Sequence, residues 1–92
     1  MKDLEDIDII NQILKPKNPE KRGYQEELYK RYMDRVYAKS YFLTKDRSEA
    51  KDLTHDVFIL VFTKLNTYKG LSPFFGWIDA IIYHHCLQYL RK

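Results

Sequence analysis

Glu49, Asp52 and Asp56 recur at three- and four-residue intervals within SEAKDLTHDVFILVFTKL, so a helix there would gather three carboxylates on one strip. Like charges at that spacing cost about a few tenths of a kcal/mol, a cost that folding does not require. The helix dipole offsets part of it, because Glu49 and Asp52 fall in or near the first turn. Ile59 lies close to the strip and Phe62 just beyond the core arc, so apolar area accompanies the charge. An acidic rim around apolar surface suits docking on a basic protein partner. The same carboxylates also suit a plain solvated face, which needs no partner.

Other residues test metal chemistry and fail. His55-Asp56 is a pair found in metal-assisted hydrolysis, but no second histidine-carboxylate set follows at usable spacing. Such a site needs at least three convergent ligands. His84, His85 and Cys86 are adjacent and would point in different directions around a helix. No metal, cofactor or catalytic residue is expected, and the chain reads as a non-enzyme.

A second surface comes from FFGWIDAIIYHHCLQYLRK. As a helix it sets Phe74, Ile78, Ile81, Ile82, His85 and Tyr89 on a packing side. Trp77, Ala80, His84, Gln88 and Arg91 then form a separate stripe, continued by Lys92. Indole, imidazole, amide and guanidinium on one stripe can stack on bases, bond base edges and meet phosphate. The preceding loop adds Asn66, Thr67, Tyr68 and Lys69, suited to holding an unstacked base. The competing reading makes Trp77 a core residue, as most aromatics in small bundles are.

Helices must position these groups. Asp3 is expected to cap a first helix bearing Leu4, Ile7, Ile10 and Leu14, with a connector up to residue 17. Asn18-Pro19 predicts the start of a second helix over 18–44, with Leu28, Tyr32, Val36 and Leu43 inward and Tyr29, Met33 and Phe42 flanking. Asp46 with Glu49 three residues on predicts a capped third helix over 46–65, burying Ala50, Leu53, Val57, Leu60, Val61 and Leu65. A loop over 66–72 and a helix over 73–92 complete an all-α, compact three- to four-helix bundle.

Ninety-two residues permit one domain burying only about 60–65% of its unfolded surface. A single cysteine excludes an internal disulfide, and MKDLEDIDII lacks the basic and apolar regions of a secretion signal. No apolar run approaches the roughly 20 residues of a membrane span, so no membrane insertion and a cytoplasmic location are expected. The net charge of +3 is unevenly spread: residues 15–44 hold eight cations against four acids, while residues 1–14 hold four acids against one cation. That footprint is weak for an autonomous DNA binder. If Lys69, Arg91 and Lys92 each neutralise one phosphate, the single-strand salt slope is only about −2.

Glu49-Ala50-Lys51-Asp52-Leu53-Thr54-His55-Asp56-Val57-Phe58, then Phe74-Phe75-Gly76-Trp77-Ile78, then Tyr89-Leu90-Arg91-Lys92, resembles region 2 of bacterial sigma factors of the extracytoplasmic-function (ECF) type. The resemblance continues upstream through Leu28-Tyr29-Lys30-Arg31-Tyr32 and Val36-Tyr37, covering about residues 20–92. It rests on the order and spacing of separate blocks rather than on any one of them.

The resemblance implies a transcription initiation factor domain. Asp52, Leu53, His55, Asp56 and Phe58, with Ile59 and Phe62 alongside, would meet the clamp helices of the largest subunit of core RNA polymerase. Asn66, Thr67, Tyr68, Lys69, Trp77, Ala80, His84, Gln88, Arg91 and Lys92 would meet promoter DNA, mainly the non-template strand of the minus-ten element. It also implies an inhibitory anti-sigma factor and a second helical domain for the minus-thirty-five element, so the chain is expected to be an isolated domain of a longer protein, with a reduced member of the family as the alternative. His55, His84 and Gln88 stand where the family usually has glutamine, asparagine and aspartate, so the polymerase-binding motif matches better than the DNA-reading one. The alternative is a helical protein-interaction module with no DNA role.

Overall fold

Capping and breaker residues divide the chain into four helices, and the computed structural model describes residues 1–90. Helix α1 spans Asp6–Leu14, α2 Lys21–Thr44, α3 Arg47–Lys64 and α4 Phe74–Leu90, with a 3-10 turn at Leu65–Thr67. The bundle is all-α among the described residues, as expected. The long α2 packs against the other three helices, and α3 also packs along α4.

The third helix begins as the sequence predicts: the Asp46 carboxylate accepts the Glu49 N–H at 2.9 Å. Thr44 braces the junction by donating to the Ser40 carbonyl and accepting from the Asp46 N–H. Between them, Lys45 ends α2 in the left-handed region at φ 59°, its N–H donating to the Tyr41 carbonyl.

The first two helix starts differ from expectation. Helix α1 begins after Glu5 instead of Asp3. Asp6 is thereby turned toward α2, where it accepts from Arg31 at 3.1 Å and from the Tyr32 hydroxyl. Its buried residues are Ile9, Ile10 and Ile13, while Ile7 and Leu14 are exposed. Both stripes have helical spacing and share Ile10, so the choice depends on how α1 lies across α2. Helix α2 starts at Lys21. Asn18 instead builds the preceding turn, accepting the Glu20 N–H at 3.0 Å and donating to the Gln12 carbonyl at 2.9 Å.

The core unites Ile9, Ile10, Ile13, Leu28, Tyr32, Val36, Leu53, Val57, Phe58, Val61, Leu65, Phe74, Ile78 and Ile82. Leu43 and Leu60, expected inside, are half-buried, whereas Thr54, Phe58, Ser40 and Cys86 are buried. Helix α3 is covered by α2 and by α4, so its buried arc is wider than a single stripe.

Candidate functional site

The inner side of α3 is fixed by Ala50, Leu53, Val57 and Val61, all buried, and this turns Asp52, His55, Asp56 and Ile59 into solvent. Ile59 is 52% exposed, a large apolar side chain with no covering element. Phe62 is half-buried against Phe58. Leu53 and Phe58, expected on the docking surface, are only 2% and 4% exposed. They belong to the layer beneath the strip, and the Phe58 ring lies 4.6 Å from that of Tyr29. The apolar part of this surface comes instead from α2, whose Tyr29, Met33 and Tyr37 line a groove with Lys51, Thr54 and His55.

The strip also continues onto α4. An open groove of about 590 Å³ is lined by Lys51, Asp52, His55, Asp56, His85, Gln88 and Tyr89. The His85 Nε2 lies 3.5 Å from the Asp56 carboxylate, an ion pair when the imidazole is protonated. The Tyr89 phenol is pushed upward in pKa, first by its hydrogen bond with Glu49 and then by burial. His85 and Tyr89, read from sequence as packing residues, are thus half-buried groups facing the carboxylates. Only the meeting of α3 with α4 brings them there.

Nearer the start of α4, the same α3–α4 seam holds the aromatic ridge. Trp77 is half-buried, stacked on Phe74 at 5.6 Å and tilted against Tyr68 at 5.6 Å. It serves both packing and surface: with Leu60, Lys64, Ala80, Ile81 and His84 it lines a shallow groove between α3 and α4. His84 and Gln88 are exposed one turn apart, their Nε2 atoms 3.3 Å apart. With the Gln88 amide as donor, that contact requires the His84 tautomer whose proton sits on Nδ1. Gln88 therefore borders both surfaces. Arg91 and Lys92 lie outside the described residues.

In the loop, Asn66, Thr67 and Lys69 are exposed. Tyr68 is not free: its ring packs on Phe74 at 5.1 Å and its hydroxyl donates to the Ser72 carbonyl. Gly70 takes φ 74°, a turn that presents Leu71 with 90% of its surface exposed. Leu71 was not anticipated, because composition gives no sign that a lone leucine faces water.

The metal-type residues are dispersed. His84 is exposed, His85 half-buried and Cys86 buried, with burial pushing the thiol up in pKa. No group of three potential ligands converges among the described residues. Nor is any described helix long and apolar enough to cross a membrane.

Comparison with known proteins follows the same surfaces. The Sigma-70 region 2 family profile matches residues 28–92. The chain is 34% identical over 67 residues to "ECF RNA polymerase sigma factor SigE" of Mycolicibacterium smegmatis, covering 73% of this chain and 26% of that protein. It is 29% identical over 65 residues to "ECF RNA polymerase sigma factor SigX" of Bacillus subtilis, covering 71% of this chain and 34% of that protein. The chain therefore spans about a quarter to a third of the length of these relatives. No solved structure gives a significant match. With the matched segment running from the first third of α2 through both candidate surfaces, the chain belongs to the sigma-70 region 2 family and is an ECF-type member of it.

Proposed function

We propose that the chain docks on core RNA polymerase through the α3 acid strip and uses the α4 ridge and its preceding loop to recognise and help open the minus-ten element. The observation that carries this reading is the outward placement of Asp52, His55, Asp56 and Ile59 beside an α4 that exposes His84 and Gln88. Asp52 and Asp56 would meet basic residues of the clamp helices, with Ile59, Phe62 and the α2 aromatics supplying apolar contact. Asn66, Thr67, Lys69 and the rim of Trp77 would hold an unpaired base of the non-template strand. No bond is made or broken in this scheme. Opening is differential affinity for the single-stranded state.

An anti-sigma factor covering the acid strip and a cytoplasmic setting belong to the same proposal. The rival protein-interaction module uses the acid strip alone. Because Trp77 is partly structural and Gln88 also lines the acid groove, the discriminating variant is His84→Ala, exposed on the ridge alone. Reconstituted with core polymerase, it is expected to keep polymerase binding and lose strand opening on a permanganate-footprinted promoter. Unchanged opening would favour the module without a DNA role.

A further inference from the structure

We propose that the exposed face of α2 carrying Arg35, Lys39 and Lys45 is a second DNA contact, one that holds the phosphate backbone of a duplex without reading its bases. It deepens the promoter reading and rests on it for the choice of DNA as the polyanion.

Ion pairs within the fold compensate some cations of the basic segment, whereas Lys15, Lys17, Lys21 and Lys30 have no carboxylate within ion-pair distance among the described residues. Arg22 is within 3.8 Å of Glu26, and Arg31 is within 2.8 Å of Glu27 and 3.1 Å of Asp6. Those charges are internally compensated. Among the described residues, neither Arg35 nor Lys45 has a carboxylate within ion-pair distance.

Each cation of the proposed row lies instead over an aromatic ring. The Arg35 guanidinium is 4.2 Å from the Phe75 centroid, the Lys39 ammonium 4.9 Å from that of Tyr83, and the Lys45 ammonium 4.5 Å from that of Phe42. Lys39 is also 3.6 Å from Asp79. The Lys39 ammonium is held above its ordinary pKa by the Tyr83 hydroxyl first and by Asp79 further down.

This arrangement distinguishes phosphate from base contact. One face of each ring is occupied by a cation, which leaves fixed positive charge at the surface. Arg35, Ala38, Lys39 and Phe42 line one open groove with Phe75 of α4, and the small Ala38 leaves it unobstructed. From residue 35 to 45 the row extends about 15 Å along α2, a length over which a duplex presents several phosphates. Lysine rather than glycine occupies the left-handed position at the end of the row. The row borders one flank of α4 through Asp79 and Tyr83, and the Trp77–His84 ridge lies on the other flank. A duplex held in the α2 groove would thus lead its opened strand across α4.

The test uses the chain with a 20-bp duplex of arbitrary sequence at low salt. Fluorescence anisotropy gives the slope of log affinity against log salt, and amide NMR shifts locate the contact. R35Q/K39Q/K45Q is expected to reduce the slope by about 2 to 3, at about 0.9 per phosphate contact. The charge-matched K15Q/K17Q/K21Q should change it far less. Lys45→Gly, which suits the backbone there, is expected to remove about 0.9 from the slope without endangering the fold.

Equal slopes for the two triple variants, absence of duplex binding, or shifts confined to residues 66–88 would overturn the proposal. So would loss of binding to a poly-glutamate peptide with duplex binding intact, which would assign the row to an acidic protein. If H84A leaves promoter opening intact while the α2 triple still lowers the duplex slope, the minus-ten reading fails and the row stands. Normal opening defects with an unaltered duplex slope give the reverse.

Discussion

Asp56 carries more of the proposed function than any other single residue, because it lies in the acid strip and faces His85 of α4 at 3.5 Å. Replacing it by lysine reverses a charge without touching the core. If polymerase desolvates that carboxylate, Asp56→Lys should weaken binding by about 2 kcal/mol or more. Titration calorimetry with core polymerase measures this, and an unchanged affinity would return the strip to ordinary solvated surface. A different residue cluster sets the pH range of stability. The Tyr32 phenol is pushed up to about 12 by burial first and by its bond to Asp6 second. Its folded value exceeds the ordinary 10.0, so its contribution is complete below pH 10 and is lost as pH rises toward 12. Glu27 is shifted the other way, chiefly by its hydrogen bond from Arg31, and its contribution is present above 4.5 and lost as pH falls through the lowered value. Cys86 and Tyr89 are also shifted upward, from ordinary values of 9.0 and 10.0, so urea midpoints should fall from about pH 9 upward, and Tyr32→Phe should reduce that alkaline loss without abolishing it. An alkaline loss undiminished in that variant would place its origin in Cys86 and Tyr89 instead.

The helix ends show which local signals survive folding. Asp46 and Glu49 form one half of a capping box at the predicted place, since that bond needs only a short stretch of chain. Asp46→Ala should cost about 1 kcal/mol, read as a lower melting temperature. Lys45, one residue earlier, adopts φ 59° where an L side chain is strained. Lys45→Gly is expected to stabilise the domain by about 1 kcal/mol, raising the melting temperature by about 4–8 °C. A lowered melting temperature would mean that the Lys45–Phe42 contact outweighs the backbone strain. Asn18 and Asp3 have the right residue type for helix caps, yet both lie outside the helices they were expected to start. Each answers to tertiary demands: Asn18 reaches the Gln12 carbonyl, and the later start of α1 turns Asp6 toward Arg31.

Taken entire, the domain is elongated, 38 Å by 22 Å by 22 Å, with α2 as the element against which the others pack. Its modest net charge of +3 predicts weak promoter binding by the isolated chain and measurable binding to core polymerase. On single strands the salt slope should remain near −2, because few cations flank the α4 ridge. Anisotropy with a minus-ten single strand, with and without core polymerase, checks both; tight sequence-specific duplex binding by the chain alone would contradict them.

Helical periodicity and the order of three sequence blocks were enough to specify an all-α bundle, its family and the outward direction of Asp52 and Asp56, because side-chain direction along a helix repeats with a fixed period. Periodicity assigns a face and says nothing about how many neighbours cover it. Only the packed structure decided that Phe58 lies beneath the strip, that Ile9 and Ile13 replace Ile7 and Leu14 in the core, and that His85 and Tyr89 face the carboxylates. Arg35 and Lys39 of α2 found their rings on α4 for the same reason: contacts between residues far apart in the chain arise from helix crossings, which no local pattern encodes.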